Sequence, residues 1–153
     1  MYEDESHIAF LDRWPTVPAK VLVAPKQHVE HIVAEIDDAS FHQLMAVVRL
    51  VALAVEAVAA PERTYLLSLG SQAANAHVHW HVAGVPPGLP YAEQQFHALM
   101  AEHGVLCQSA ADVQRLGRQM RQAVQVQIER AQRRVSGGGQ AGLHGERGKQ
   151  VPG

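Results

Sequence analysis

The sequence predicts an α+β fold in which helices pack on one face of a β-sheet. Short apolar runs rich in branched residues, such as "KVLVAP", are typical of strands. Over residues 38–60, apolar residues recur at helical spacing. In "HVHWHV", residues 77–82, polar and apolar residues alternate as they do in a strand with one buried face. Strands mixed with long helices favour a sheet covered by helices.

The first half of the chain contains most of the predicted strands. They cover residues 8–11, 20–25 and 64–69. The helix over residues 38–60 begins with a capping box formed by Ser40 and Gln43, and Pro61 ends it.

Two further helices are predicted after the histidine strand. One begins near Pro90 and ends at Gly104, and Ser109 with Asp112 opens the last. One face of the last helix carries an apolar stripe, Val113, Leu116, Met120, Val124 and Ile128.

The 153 residues fit one domain, which we assign to residues 1–135. The tail, "SGGGQAGLHGERGKQVPG" at residues 136–153, has no apolar surface to bury and is predicted to be disordered.

Composition restricts the partners and the location. A formal net charge of −2 gives no basic field, so we expect no nucleic-acid polymer as a partner. Cys107 is the only cysteine, which excludes a disulfide framework and a Cys-x-x-Cys metal pair. The acidic N-terminus does not look like a signal peptide, and no apolar run approaches the ~20 residues that span a bilayer. We therefore expect a cytoplasmic protein without membrane partners.

The alternating stretch separates two sets of side chains. On a strand, His77, His79 and His81 share one face, while the intervening valines and tryptophan share the other. The apolar set can pack beneath a helix as core, which leaves the histidines facing a polar space.

Three interpretations of the histidine row compete. A solvated strand explains it poorly, because exposed positions favour other polar residues. A metal site meets a geometric difficulty: Cα atoms of His77 and His81 would lie ~13 Å apart on a strand, whereas zinc requires its nitrogens within ~3.5 Å of each other. A further ligand such as His28 or His31 would be needed. Catalysis along a chain of phosphoryl groups accounts for number, spacing and residue type together, since neutral imidazole is a good nucleophile at phosphorus.

Two blocks of sequence resemble one known family. "HVHWHVA" is similar to the His-x-His-x-His-x-x signature of the histidine triad (HIT) superfamily of nucleotide hydrolases and transferases. "AFLDRWPTVPAKVLVAPKQHVEHI", residues 9–32, resembles the N-terminal block of the same family. The resemblance implies an antiparallel sheet, a homodimer formed partly through the long helix, and a two-step reaction through a nucleotidyl-histidine intermediate.

The resemblance also implies a role for each matching residue. His79 is the nucleophile, and His81 holds the phosphate and protonates the leaving group. His77 orients the nucleophile, and His28 joins it as a fourth histidine. Asp12 accepts hydrogen bonds from ribose hydroxyls.

The sequence departs from the family pattern at three places. Ala19-Lys20 stands where the family has Gly-His. "GSQAANAH" replaces a Gly-Gln-Ser/Thr run that grips phosphate, so we assign substrate binding to Asn75, Ser71 and Gln72. The family's N-terminal cysteine pair is missing, and we expect neither a bound metal nor another cofactor.

The favoured function is a diadenosine-polyphosphate hydrolase-like activity that cleaves dinucleoside polyphosphates or nucleotide conjugates at the α-phosphorus. A nucleoside phosphoramidase or a nucleotidyl transferase that uses phosphate fits the same chemistry. A non-catalytic nucleotide sensor and a metal-binding module are the alternatives from other classes.

Overall fold

The computed structural model describes residues 1–69 and 76–138, which form an α+β domain built on an antiparallel sheet. Its strands lie in the order β1-β2-β3-β5-β4. Their bounds are β1 Tyr2–Glu3, β2 His7–Leu11, β3 Val21–Pro25, β4 Arg63–Leu67 and β5 Trp80–Val85. The helices are α1 Asp38–Ala59, α2 Phe96–Leu99 and α3 Ala110–Gly138. The predicted fold class is confirmed.

One face of the sheet forms the core with α1, and α3 packs on α1. The register places Val21 of β3 opposite Val82 of β5, so both side chains point to the same face. They are fully buried in one cluster with Val48, Val51 and Val55 of α1. Burial of each such side chain contributes about 1.5–3 kcal/mol, which fixes the helix against the two central strands.

Helix α1 has a different N-cap from the one predicted. The side chain of Asp37, not of Ser40, caps it: Asp37 Oδ1 accepts the Ser40 amide at 2.9 Å, and Oδ2 accepts the Ser40 hydroxyl at 2.7 Å. A carboxylate satisfies the free amides and also interacts favourably with the positive end of the helix dipole. The predicted Ser40–Gln43 capping box is therefore wrong. The helix ends at Ala59, and Ala60 takes a left-handed conformation before Pro61.

Helix α1 also corrects the expectation about long apolar runs. By length and composition it is the one helix in the described part of the chain that could cross a membrane. Its buried residues, Val48 and Val51 among them, belong to the core cluster with the sheet. The core helix of a globular domain meets the same criterion.

Helix α3 begins as predicted and is longer than predicted. Ser109 Oγ accepts the Asp112 amide at 3.1 Å and caps the first turn. Met120 and Val124 of the predicted stripe are buried, while Val113 is exposed. The helix continues to Gly138, three residues beyond the predicted domain limit at residue 135. The remainder of the predicted tail, residues 139–153, lies outside the described residues.

The segment predicted as one helix from Pro90 to Gly104 is interrupted. It contains the 3-10 turn Tyr91–Glu93, the single turn of α2 and the 3-10 turn Ala101–His103. Gln95 has φ 55° and ψ −129°, which lies outside helical geometry and separates the first two pieces. The terminal signals Pro90 and Gly104, on which the prediction rested, do not reveal such a break.

The histidine strand begins three residues later than predicted. Trp80 is the first residue of β5, and it pairs with Val23 of β3. Val78 instead donates its amide to the Val29 carbonyl at 2.7 Å, in the loop that follows β3. The segment with His77 and His79 therefore leaves the ladder and follows this loop.

A close approach at Gly84 gives a stability prediction. A Cβ at Gly84 would lie 3.0 Å from Cβ of Pro61 and 3.2 Å from Cγ1 of Val55. Because packed backbone and side chains must shift, we expect Gly84→Ala to lower the free energy of unfolding by about 1–3 kcal/mol in urea denaturation.

Gly117 in α3 provides the matched control, since the nearest atom to its added Cβ is Nη1 of Arg121 at 3.8 Å. There Gly→Ala should raise stability by about 0.5–1 kcal/mol through helix propensity. Equal effects at the two glycines would contradict the packing argument.

Candidate active site

The catalytic candidates lie on the sheet face opposite α1. His81 pairs with Leu22 of β3 and with Leu67 of β4. Because opposed residues in antiparallel strands point to the same side, these three side chains lie opposite the buried Val82. The His79 ring contacts the His81 ring edge to face, with centroids 4.8 Å apart. The two rings that were predicted to share a face are therefore adjacent.

His77 is held on both of its ring nitrogens by backbone groups. Its Nε2 lies 2.8 Å from the Pro25 carbonyl oxygen, and its Nδ1 lies 3.2 Å from the Val29 amide. A carbonyl only accepts and an amide N–H only donates, so Nε2 carries the proton and Nδ1 accepts. The imidazole is thus neutral, and neither of its nitrogens is free to attack phosphorus. It connects the histidine segment to the loop after β3.

His79 has the tautomer that a nucleophile requires. Its Nδ1 lies 2.8 Å from the carbonyl oxygen of His77, so Nδ1–H donates and the neutral ring keeps its lone pair on Nε2. Ser68 at the end of β4 donates its hydroxyl to the His79 carbonyl at 2.8 Å and holds the backbone from the other side. The sequence analysis did not identify Ser68. Its position directly after an apolar strand was the feature that could have indicated a polar contact there.

His81 is uncharged at neutral pH. Burial, with a smaller contribution from the nearby positive charge of Lys20, lowers its pKa to about 4. Its Nδ1 is buried and has no hydrogen-bond partner among the described residues. The ligand-free protein therefore holds no imidazolium at His81 for protonation of a leaving group, which weakens that part of the role implied by resemblance.

His28 lies beside His77, one residue pair away from the predicted nucleophile His79. The two rings stack with centroids 5.2 Å apart and an interplanar angle of 17°. Its side chain is 69% exposed, and Nε2 contacts Glu30 Oε1 at 3.1 Å. The rings thus form two contacting pairs, His28 with His77 and His79 with His81, joined by the bond from His79 to the His77 carbonyl.

Asp12 is engaged in two contacts at the end of β2. Oδ1 accepts the Trp14 amide at 2.9 Å, as in an Asx turn, and Oδ2 lies 3.2 Å from Nζ of Lys20. Both charged side chains are nearly buried, with 11% and 7% of their surface exposed. Sequence reasoning noted Lys20 only as a departure from a family pattern. A lysine directly before a buried strand was the signal of a buried charge.

The predicted phosphate-binding residues Asn75, Ser71 and Gln72 lie outside the described residues, so their roles stay predictions. Within the described ranges, no three His, Cys, Asp or Glu side chains are arranged to hold a metal ion.

Fold and site together define the class of histidine-triad proteins. The chain belongs to the HIT family, since the HIT domain model matches residues 1–86. Members of this family bind nucleotides, and the family belongs to a superfamily of nucleotide hydrolases and transferases.

Other histidine-triad proteins are similar to this chain in sequence or in structure. An uncharacterised HIT-like protein of Saccharolobus solfataricus is 32% identical over 85 residues, which are 54% of this chain and 60% of that protein. The chain therefore covers less than two thirds of that relative. The crystal structure of a hypothetical histidine triad nucleotide-binding protein of Sulfolobus tokodaii has 27% identity and a TM-score of 0.64, with 81% of each chain covered.

A zinc-bound histidine triad family protein of Mycobacterium smegmatis matches with 22% identity and a TM-score of 0.63 over 85% of each chain. At this identity the likeness extends to the fold alone.

The lowered pKa of His81 predicts its titration. In NMR spectra, we expect His81 to titrate with a pKa of about 4, below the ~6.5 of ordinary imidazoles. The unfolded chain takes up this proton near pH 6.5 and the folded chain does not. The stability that neutral His81 contributes is therefore full above pH 6.5 and is lost as the pH falls toward 4.

Lys20→Met should raise the pKa of His81 without restoring its ordinary value, because burial remains. Lys26→Met serves as the control, since Lys26 pairs with Glu3 and is not among the charges that act on His81. An unchanged pKa in Lys20→Met would refute the assigned electrostatic cause.

Proposed function

We propose that this protein is a nucleotide hydrolase of the diadenosine-polyphosphate hydrolase type, acting at the α-phosphorus through a nucleotidyl intermediate on His79. The observation that carries the proposal is the hydrogen bond from Nδ1–H of His79 to the His77 carbonyl, which leaves the lone pair on Nε2. Membership of the HIT family supports the chemical class.

In the first step, Nε2 of His79 attacks the α-phosphorus and the P–O bond to the leaving group breaks. The leaving oxygen keeps the bonding electron pair. The imidazole becomes a positively charged nucleotidyl-imidazolium whose Nδ1–H still donates to the His77 carbonyl. That carbonyl dipole stabilises the positive charge as it develops, and it needs no reorientation during the reaction.

The charge state of His81 favours one type of leaving group. A polyphosphate leaves as a stable anion and requires no proton, whereas an amine leaving from a P–N bond requires one. Because His81 is neutral at neutral pH, the site is better suited to P–O–P substrates than to phosphoramidates.

In the second step, water attacks the phosphorus and the P–N bond breaks, returning its electron pair to Nε2 of His79. The neutral ring of His81, 4.8 Å from the His79 ring centroid to centroid, takes the proton from water. A mononucleotide leaves, and loss of the proton from His81 restores the starting site.

A cytoplasmic location and the exclusion of nucleic-acid polymers stay predictions.

Removal of the nucleophile tests the proposal. We expect His79→Ala to lower turnover of diadenosine polyphosphates at least about 10³-fold, because the covalent route is lost while ribose and phosphate contacts remain. Affinity for the mononucleotide product should change little. His42→Ala, at an exposed position of α1, is the control and should retain full activity.

The intermediate can be observed directly in the wild-type protein. Acid-quenched reactions analysed by mass spectrometry should show a nucleotidyl adduct on the peptide with His79, and ¹⁸O from labelled water should appear in the mononucleotide. Undiminished turnover in His79→Ala would refute the mechanism. Product formation that depends on added phosphate would indicate a transferase, and stoichiometric zinc lost in that variant would indicate a metal-binding module.

We also propose that the chain forms a homodimer through α1. A groove of about 900 Å³ between α1 and α3 is lined by apolar side chains, including Leu50, Leu53 and Ile128, and by charged ones such as Glu56 and Arg130. A second copy would remove this surface from water.

Light scattering after gel filtration should give twice the chain mass for the wild type. Leu53→Glu should give a monomer, because it replaces an apolar contact of the groove with a carboxylate that the second copy would bury, whereas Leu106→Glu, outside the groove, should remain dimeric. A monomeric wild type would contradict the proposal.

A further inference from the structure

A lysine lies next to the catalytic candidates on the open face of the sheet. The bond from the Asp12 amide to the Lys20 carbonyl, at 2.9 Å, extends the β2–β3 ladder by one pair beyond Leu11 and Val21. Lys20 therefore points to the same face as Leu22, which opposes His81. Diagonal neighbours of this kind are about 7–8 Å apart, within the reach of a long side chain.

Burial of the ion pair between Lys20 and Asp12 carries an unfavourable desolvation free energy. Their Nζ and Oδ2 atoms are 3.2 Å apart, and the two side chains are 7% and 11% exposed. Removing two charges from water costs several kcal/mol per ion, and apolar residues of similar size are commonly as stabilising. A contribution to stability therefore does not by itself explain why the pair is buried. Its position beside His81 indicates a role in ligand binding.

The ammonium also has capacity for another contact. A lysine has three N–H donors, and within the described residues Nζ of Lys20 contacts a single carboxylate oxygen. Because Lys20 lies on the same face of the sheet as Leu22 and His81, its ammonium is on the side where a nucleotide on His79 would bind.

We propose that Lys20 is a substrate-binding residue whose ammonium contacts a phosphoryl oxygen of the nucleotide, while its partner Asp12 binds the ribose. The inference rests on the proposed function, because it requires a nucleotide at His79. The ion pair holds both groups on one face of the sheet before substrate arrives. This charge stands in for the protonated histidine that the ligand-free site lacks.

A purely structural role of Lys20 makes a different prediction. If Lys20 only neutralised Asp12, its loss would disturb nucleoside and nucleotide binding alike, because both ligands carry the ribose assigned to that carboxylate. If it contacts phosphate, only the nucleotide loses affinity. The ratio of nucleoside Kd to mononucleotide Kd therefore isolates the phosphate contact.

The experiment is calorimetry with AMP, GMP, CMP and UMP, followed by the nucleoside that matches the tightest of them. Lys20→Gln should lower the ratio of nucleoside Kd to nucleotide Kd about ten- to a hundredfold, as expected for loss of a charged hydrogen bond. Lys20→Arg should retain most of the ratio. Lys26→Gln, which removes a lysine paired with Glu3, should leave it unchanged.

If Lys20→Gln does not fold, the same test can be made by comparing Asp12→Asn with the double variant Asp12→Asn/Lys20→Met, which leaves no unpaired carboxylate. The double variant should then have the lower ratio of nucleoside Kd to nucleotide Kd. An unchanged ratio in folded variants would overturn the assignment of Lys20 while leaving the proposed function intact. Absence of nucleotide binding by the wild-type protein would overturn both proposals.

Discussion

The hydrogen bond between the His79 ring and the His77 carbonyl determines what the rest of the site can do. At 2.8 Å it places the proton on Nδ1 and the lone pair on Nε2. It can form because the chain leaves the β3 ladder before Trp80, which turns the His77 carbonyl toward the ring that follows it. Local backbone geometry therefore sets the tautomer of the proposed nucleophile, and the neighbouring imidazoles make different contacts.

Protonated histidines contribute little positive charge to the open face of the sheet. His77 is neutral because both nitrogens are used by backbone groups, and burial with Lys20 keeps His81 neutral. Lys20, paired with Asp12, places a positive charge on this face. A phosphate that enters would meet this lysine charge beside neutral imidazoles. Such an arrangement keeps the His79 lone pair available for attack.

The fold was predictable because its signals are periodic. Alternation and helical spacing indicated the sheet, α1 and α3, and the buried residues Val82 and Met120 agree with these patterns. Local conformation was less predictable: Asp37, not Ser40, caps α1, and the positive φ of Gln95 interrupts the helix predicted from Pro90 to Gly104. The sequence also identified the histidines but not their connections. The contact of His77 with Pro25 spans 52 positions, and no pattern within a single strand encodes it.

The double attachment of His77 has a consequence for how the chain can vary. Its partners are the carbonyl of Pro25 and the amide of Val29, both main-chain groups. Side chains at residues 26 and 27 between them can therefore be exchanged without loss of either bond, provided that the loop keeps its length and path. Insertion or deletion of a single residue there would instead move both anchors relative to each other.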